Sequence, residues 1–449
     1  MSAQDEKRIV FPRGFHYAFP MEQLMNIPRP ARTALSVLNR AGYEAWLVGG
    51  FVRDSLRGIP AHDVDIATNA HWRFTKEAFQ KNGFTVHETG TKHGTVTVMV
   101  DGWPLEITTF REEGAYSDAR HPDSVAFVQD VETDLARRDF TMNAIAYHPE
   151  NGFKDPFGGR QDIQNHLIKC VGKPSKRFAE DALRIMRAAR FCSQLGFSIH
   201  PQTREGMAQC VSGLDHVARE RIQDELGRLL MGPHVADALP QAEPVLLQIL
   251  PQLNEASVLG ENPNQAIRRM AKAVAHAPQS LSVRYAALFL GAATPFALPF
   301  MKEALQSLRI KKEIVRQALL LVELFQEGLL PDAQEIHALC VRAEGNPETL
   351  RVLFDLHRAI ELAQDEPREE RLRLVAQCHA TLNALEKEGA PFSVRQLALT
   401  GRDLIQAGMP AGSGIGEALQ SLLDACVRCE VKNSRADLLI YLGFLDFRK

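Results

Sequence analysis

The pattern of apolar and polar positions divides the chain into a mixed N-terminal part and a helical remainder. Between residues 45 and 110, short apolar runs alternate with polar turns, which predicts strands. In T-V-T-V-M-V every second residue is a valine, and Asp101 and Gly102, which follow, predict a hairpin turn. After residue 255, apolar residues recur at helical spacing over successive segments. The pattern predicts an α+β fold, in which an N-terminal mixed β-sheet flanked by helices precedes all-α domains.

The first strand of this sheet leads into a glycine turn. A strand predicted over Ala45 to Val48 is followed directly by Gly49 and Gly50, and then by a helix over Phe51 to Leu56. Glycines at a strand-to-helix turn let the backbone approach a phosphate closely. Arg53, just inside the helix, adds a charged fork to that phosphate. No Walker-type loop is present.

The next predicted strand, His62 to Ile66, carries paired aspartates. Asp63 and Asp65 are two residues apart and therefore share one face of a strand. Paired carboxylates suit one or two Mg²⁺ ions that also bind substrate phosphates. A lone Gly-Gly is usually a turn and a lone D-x-D a solvated strand end, but together they predict phosphoryl transfer from a nucleoside triphosphate. Glu106, on a later strand, either faces the metals as a third carboxylate or lies solvated at an edge.

Composition narrows the class of protein. The chain has 449 residues, 45% of them hydrophobic, which indicates about two to four globular domains. Because the net charge of the chain is only −3, any RNA-binding surface must be a local basic patch. Seven scattered cysteines indicate reduced thiols in a cytoplasmic protein, and no apolar run is long enough to span a membrane. Cys426 and Cys429 form a C-x-x-C that we interpret as packing residues.

Two further motifs carry charge in patterns that suit a nucleotide. Arg137, Arg138 and Asp139 stand at a predicted helix start, where an Arg can hold a triphosphate and an Asp a ribose hydroxyl; the alternative is a surface ion pair beside a helix cap. A single amphipathic helix is predicted over residues 176–195. Its polar stripe, at steps of three residues, consists of Asp181, Arg184, Arg187 and Arg190.

That stripe has two interpretations. It is either a helix face laced with ion pairs or a surface that recognises bases. An Asp accepts from an exocyclic amine, and an Arg donates to ring acceptors. Cytosine and adenine both present an amino group beside a ring acceptor, so one Asp–Arg pair can read either base.

Five motifs, in order, resemble those of the class II nucleotidyltransferases. They are G-G-x-V-R-D with D-x-D-I-A-T, a polar loop over residues 110–123, R-R-D-F-T-x-N-A, E-D-x-x-R and E-R-x-x-x-E. This group contains bacterial poly(A) polymerases and CCA-adding tRNA nucleotidyltransferases. The loop resembles that of the CCA-adding enzymes and is lacking in relatives that add only CC. Residues 90–98, GTKHGTVTV, differ from the poly(A) polymerase pattern, so CCA addition is favoured.

The resemblance implies roles for particular residues. Asp63 and Asp65 are the catalytic metal ligands, and Asn143 supports the nucleotide site. Glu220, Arg221 and Glu225 brace the base-selecting helix. The implied contacts to ATP or CTP are Gly50, Arg53, Arg138, Asp139, Asp181, Arg184, Arg187 and Arg190.

The resemblance also implies a cofactor, Mg²⁺, and a partner, tRNA, in a cytoplasmic enzyme that has no membrane contact. Three alternatives stay open: an enzyme that adds only the terminal A, a poly(A) polymerase, and an inactive tRNA-binding module, although the intact D-x-D disfavours the last. A homodimer is neither required nor excluded.

The expected domain organisation follows the motifs. A lead-in over residues 1–23 precedes a nucleotidyltransferase head over 24–160, a helical neck over 161–235, a helical body over 236–388 and a helical tail over 389–449 that binds tRNA. Asp155 to Arg160 form a turn that resembles the hinge after the head. Basic clusters around Arg268 and Arg309 either touch tRNA phosphates or form solvated helix faces.

Overall fold

A computed structural model describes residues 25–60, 63–114, 124–253, 263–292 and 297–443. The predicted lead-in, and residues 115–123 of the polar loop, lie outside the described residues. The chain forms two compact units. The first runs through Glu113 and resumes at Val125–Ile163, and the second continues from Gln164.

The first unit is built around a seven-stranded mixed sheet in the order β3-β4-β5-β2-β1-β8-β9. Its strands are β1 Ala45–Val48, β2 Asp65–Thr68, β3 Thr85–Gly90, β4 Thr95–Val100, β5 Trp103–Thr109, β8 Ala146–His148 and β9 Gly152–Lys154. A separate antiparallel ribbon is formed by β6 Arg111–Glu113 and β7 Val125–Phe127. Within the large sheet, β2 and β5 pair in parallel and the other neighbours are antiparallel. The helices of this part are α1 Arg29–Arg40, α2 Gly50–Leu56, α3 Trp72–Lys81, α4 Val131–Ala136 and α5 Gly159–Gln164.

Alternating burial explains why the central strands form. Val96, Val98 and Val100 of β4 are fully buried, and the alternating residues Thr95, Thr97 and Met99 are half-buried. Asp101 and Gly102 both have positive φ, 51° and 81°, as a tight turn between antiparallel strands requires. The predicted hairpin is therefore confirmed. The predicted strand over His62 to Ile66 begins later, at Asp65.

The second unit is helical. Its helices are α6 Pro174–Glu180, α7 Leu183–Leu195, α8 Pro201–Cys210, α9 Arg219–Leu230, α10 Val235–Gln241, α11 Glu243–Ile249, α12 Pro263–His276, α13 Leu281–Ala292, α14 Ala297–Ser307, α15 Lys312–Gln326, α16 Ala333–Arg342, α17 Pro347–Leu362, α18 Glu369–Lys387, α19 Gly401–Gln406, α20 Gly414–Val427 and α21 Arg435–Tyr441. Two-residue strands, β10 Leu167–Ile168 and β11 Ser198–Ile199, pair in parallel among them. The predicted α+β class, with a mixed N-terminal sheet and a helical remainder, is confirmed.

The body helices follow the predicted spacing closely, because each buries an apolar stripe. Part of the predicted basic surface is used within the fold: Arg269 Nε donates to Gly291 O at 2.7 Å and so satisfies the end of α13. In the tail, Cys426 is buried in an apolar cluster, but Cys429 is exposed. The packing interpretation is thus right for Cys426 and wrong for Cys429. Among the described residues, no helix is long and apolar enough to cross a membrane.

Candidate active site

The turn after β1 brings three functional groups together at a glycine. Gly49 adopts φ 72°, which a side chain disfavours, and it immediately precedes α2. A Cβ at Gly49 would lie 3.3 Å from Arg138 Nη1 and 3.3 Å from Asp65 Oδ2. A Cβ at Gly50 would lie 3.6 Å from Arg53 Nη2. Gly49 is therefore favoured at this turn for two reasons: its φ is positive, and a side chain there would crowd Arg138 and Asp65.

The sheet register gathers the acidic residues. Asp65 pairs with Val48 on one side and lies beside Glu106 on the parallel strand β5. Asp63 precedes β2 and is exposed, as is Glu106, whereas Asp65 is half-buried. The pKa of Asp65 is raised to about 6: burial raises it most, the charge of Arg138 lowers it, and the charges of Glu106 and Asp63 raise it. Glu106 and Asp63 thus lie close enough to Asp65 to disfavour its charged form.

Such an excess of negative charge suits a bound cation. In the part of the chain that the structure describes, no group of three or more His, Cys, Asp or Glu side chains could hold a metal ion by itself. Mg²⁺ usually takes one or two carboxylates and completes its shell with water and substrate phosphates. Asp63 and Asp65 fit a site of that open kind, and Glu106 as a third ligand stays a prediction.

Arg53 is held rigidly beside this turn. Its Nε and Nη2 donate to the two carboxylate oxygens of Asp54 at 2.9 and 2.7 Å, and its Nη1 donates to Asn143 Oδ1 at 2.8 Å. Asn143 Nδ2 in turn donates to Asp139 Oδ1 at 3.1 Å. Arg53, Asp139 and Asn143 are all buried. One hydrogen-bonded chain therefore joins α2 to the R-R-D-F-T-x-N-A motif.

That motif lies after a helix and not at its start, so the predicted helix start is wrong. Asp130 caps α4 by accepting from Thr133 N at 3.1 Å, so the helix begins at Val131 and ends before Arg137. The chain then passes through a 3₁₀ turn, Thr141–Asn143, into β8. This path leaves Arg138 and Asp139 in irregular backbone, with Arg138 Nη1 beside Gly49 and Asp139 Oδ1 accepting from Asn143 Nδ2.

The predicted base-selecting helix is also interrupted, at Asp181. One helix was predicted over residues 176–195, but α6 ends at Glu180 and α7 begins at Leu183. Asp181 is extended, with φ −145° and ψ 103°, and its Oδ1 accepts from Leu183 N at 3.0 Å. Aspartate commonly forms this local bond and is disfavoured in helix interiors. The break gives Asp181 an orientation that a continuous helix would not.

Asp181 and Arg184 are each held by a second charged residue. Arg221 Nη2, from α9, donates to Asp181 Oδ2 at 3.1 Å. Arg184 is buried, and its Nη1 donates to Glu180 Oε2 at 2.7 Å. The E-D-x-x-R motif therefore forms a fixed local arrangement of charges.

The rest of the stripe faces different surroundings. Arg190 is buried in an ion pair with Glu225, 2.9 Å between Nε and Oε2, and its guanidinium lies 4.1 Å from the Phe191 ring centroid. Arg187 is half-buried, 5.4 Å from the same ring. Arg221 and Glu225, both on α9, make the expected bracing contacts, whereas Glu220 is exposed and pairs with Arg309. Nucleotide contacts by Arg187 and Arg190 stay predictions.

Comparisons with known proteins point to one family. Residues 45–169 match the poly A polymerase head domain, and residues 196–256 match a probable RNA- and SrmB-binding site of polymerase A. The chain is 36% identical over 429 residues to a CCA-adding enzyme of Limosilactobacillus fermentum, covering 93% of this chain and 96% of that one. The CCA-adding enzyme of Geobacillus stearothermophilus is 36% identical over 424 residues, 92% and 96% of the two chains. The chain belongs to the CCA-adding enzyme family.

A solved structure of the CCA-adding family agrees with the fold. The Bacillus stearothermophilus CCA-adding enzyme in complex with CTP has a TM-score of 0.70 and 31% identity, with 92% of this chain and 96% of that chain covered. The resemblance to class II nucleotidyltransferases is therefore confirmed, and the chain is a nucleotidyltransferase.

Two residues beside the candidate site, Gly49 and Asp134, have no individual role assigned from the sequence. Gly49, rather than Gly50, is the residue between Arg138 and Asp65. Asp134 is fully buried and pairs with both Arg137 and Arg138. Its spacing of three and four residues from them is a helical ion-pair signal, visible once a helix is assigned to Val131–Ala136.

Proposed function

We propose that this enzyme adds C, C and A in turn to the 3′ end of tRNA, from CTP and ATP and without a nucleic-acid template. The observation that carries the proposal is the turn at Gly49, which has an arginine nitrogen and a carboxylate oxygen equally close to it. Nucleotidyl transfer needs a cationic group for the triphosphate and a carboxylate for the metal ion. An arginine and an aspartate that suit these two tasks lie beside the same glycine. The full-length similarity to CCA-adding enzymes supports the substrates.

In the proposed reaction, the terminal 3′-oxygen forms a bond to the α-phosphorus of the nucleotide. The bond from that phosphorus to the bridging oxygen breaks, pyrophosphate leaves, and the hydroxyl proton passes to solvent. Asp63 and Asp65 would hold two Mg²⁺ ions. When bound, these ions lower the pKa of the attacking hydroxyl and neutralise the departing pyrophosphate.

The triphosphate would be bound by Gly50, Arg53 and Arg138, and the ribose by Asp139. The support for Arg53 is its fixed orientation between Asp54 and Asn143. The support for Arg138 is its position beside Asp65, together with a buried Nε that has no hydrogen-bond partner among the described residues. Phosphate oxygens accept readily from arginine, and a fixed donor costs less to order on binding.

Base selection would depend on Asp181 and Arg184, with Arg187 and Arg190 behind them. Support comes from the helix break, which fixes the Asp181 carboxylate through Leu183 N and Arg221. A carboxylate acceptor beside a guanidinium donor complements the edge shared by cytosine and adenine, and mismatches guanine and uracil. A preoriented pair of this kind acts as a protein template.

The proposed setting is the cytoplasm, where tRNA, ATP and CTP meet. Mg²⁺ is the proposed metal because the candidate ligands are carboxylates. The proposal requires neither a membrane nor a second copy of the chain, so a homodimer stays open.

The test uses purified protein, Mg²⁺ and three tRNA transcripts that end before CCA, after C, and after CC. CTP and ATP are supplied separately and together, and the products are sized on a sequencing gel. Extension of the shortest transcript by C, C and A, and no further, is the expected result.

Other outcomes would replace the proposal. Addition only to the CC-ended transcript would make this an A-adding enzyme. Long A ladders on any RNA would make it a poly(A) polymerase. Binding of tRNA without any extension would leave an inactive binding module.

A further inference from the structure

Asp134 is a buried carboxylate on which three arginines converge. It lies on α4 and is 0% exposed. Its Oδ1 accepts from Arg111 N at 3.2 Å and from Arg137 Nε at 2.9 Å, and its Oδ2 accepts from Arg138 Nη2 at 3.3 Å. Both carboxylate oxygens are thus committed to positively charged residues or to their backbone.

The arginines keep this carboxylate ionised. Burial by itself would raise the pKa of Asp134, but the charges of Arg137 and Arg138 and the hydrogen bonds from Arg137 and Arg111 lower it. A buried anion is costly unless it is paired and hydrogen-bonded. Asp134 therefore exerts a strong, directed attraction on the guanidinium groups beside it.

Arg138 spans the distance from this carboxylate to the glycine turn. Its Nη2 lies on Asp134, and its Nη1 lies 3.4 Å from Asn143 O and 3.3 Å from the ideal Cβ position of Gly49. Asp65 Oδ2 lies at the same distance from that Cβ position. One end of the guanidinium is anchored at the rear, while the other end points at the metal-binding carboxylate.

We propose that Asp134 is a positioning residue for nucleotide binding: it holds Arg138 in the orientation that meets the triphosphate. Through Arg111 N, the same carboxylate also fixes the start of β6, so the strand after β5 and the triphosphate arginine share one anchor. The inference rests on the proposed function, because it gives Arg138 a triphosphate to bind.

The first variant is Asp134→Asn, which keeps the shape and removes the charge. In either orientation of the amide, its NH₂ group faces an arginine donor, because arginines occupy both oxygens. We expect the apparent affinity for ATP and CTP to fall roughly 10- to 100-fold, as for other losses of a supporting partner in an active site. Affinity for tRNA should not change.

Two readouts separate positioning from a structural role. Equilibrium dialysis with labelled ATP measures binding without chemistry, and steady-state assays give KM and kcat with CTP and ATP. The matched control is Glu361→Gln in the body. Glu361, like Asp134, is a buried carboxylate whose two oxygens both accept from arginine, in this case from Arg368 alone. The control should lower thermal stability without changing nucleotide affinity.

A double-mutant cycle with Arg138→Gln provides the decisive comparison. If Asp134 acts through Arg138, the double variant should bind ATP no more weakly than Arg138→Gln alone. Independent, multiplicative losses, or unchanged ATP binding in folded Asp134→Asn, would overturn the proposal. If Asp134→Asn does not fold, Asp134→Glu keeps the charge and displaces it by one methylene; it should weaken ATP binding, and unchanged binding would again refute the proposal.

Failure of the proposed function would look different. Wild-type protein would then bind ATP but would not extend the shortest tRNA transcript by C, C and A. The effect of Asp134→Asn on ATP binding in dialysis would still decide the role of Asp134.

Discussion

The head and the neck contain charged clusters of opposite balance. Around the glycine turn of the head, Asp65 lies near Arg138, Glu106 and Asp63, and its pKa is raised by burial and by the two acidic neighbours. On the neck helix, three arginines share a stripe with a single aspartate, Asp181. Carboxylate excess calls for metal cations, whereas arginine excess suits a nucleotide. The proposal assigns a metal to the first cluster and a base to the second, so variants in the two clusters should fail differently.

The largest effect should follow removal of the half-buried carboxylate in the head. Asp65→Ala should reduce C and A addition by about 10³-fold or more, because the metal that activates the hydroxyl loses its ligand. Gel-shift binding of tRNA should be nearly unchanged. The control is Asp101→Asn, an exposed residue in the β4–β5 turn. Near-wild-type incorporation by Asp65→Ala would remove the metal assignment.

A pair of glycine variants tests whether the turn needs space as well as a positive φ. Gly49 and Gly58 have nearly equal φ, 72° and 70°, but a Cβ at Gly58 would meet nothing within 4 Å. Substitution of either by Ala should cost about 1 kcal/mol of stability. Gly49→Ala alone should also lose activity, roughly 100-fold, by displacing Arg138 and Asp65. Equal kcat/KM values for the two variants would show that this proximity is not functional.

The neck variant should change selectivity more than rate. Asp181→Ala removes the proposed acceptor for the exocyclic amine, so preference for CTP and ATP over UTP and GTP should fall roughly 10- to 100-fold. Competition assays with all four nucleotides measure this ratio. Asp224→Ala, at an exposed position on α9, should preserve selectivity. If Asp181→Ala still selects C and A, the protein-template proposal fails.

The smallest catalytic effect is expected at Glu225, whose role is bracing. Its ion pair with Arg190 has side chains only 10% and 8% exposed, so Glu225→Gln should cost about 3 kcal/mol of unfolding free energy in urea. The matched exposed pair joins Glu220 of the same helix to Arg309, with side chains 54% and 69% exposed, and Glu220→Gln should leave the stability nearly unchanged because solvent screens the pair. A stable Glu225→Gln variant with a greatly raised KM for CTP would contradict a purely bracing role for Glu225 and support direct contact between Arg190 and the nucleotide.

The sequence predicted elements well where one physical cause dominated. Alternating valines identified β4, and Asp101-Gly102 identified its turn, because both signals are local. The predicted helix over residues 176–195 failed at Asp181, where a side-chain bond to Leu183 N competes with the helical hydrogen bond. Apolar periodicity continues across this break and therefore conceals it.

Contacts distant in sequence were harder to predict. Motif order suggested that Arg138 and Asp65 belong to one site, but nothing local shows that they meet across Gly49. That proximity depends on the strand order of the sheet, in which β1 lies between β2 and β8. Asp134 was overlooked because a helix start was assigned to the arginines that follow it, which hid their helical spacing from this carboxylate.

Arg284 gives the neck a mechanical link to the body. This buried side chain on α13 donates from Nη1 to Leu230 O and Gly232 O, at the C-terminal end of α9. The same α9 carries Arg221 and Glu225, which hold Asp181 and Arg190. Arg284 satisfies carbonyl groups at the C-terminal end of α9. If α13 frays, Arg284 moves away and those carbonyl groups lose their hydrogen-bond donor. Loosening of α13 would therefore also loosen the helix that holds Asp181 and Arg190, so these two ion pairs depend on the stability of a helix outside the E-D-x-x-R motif.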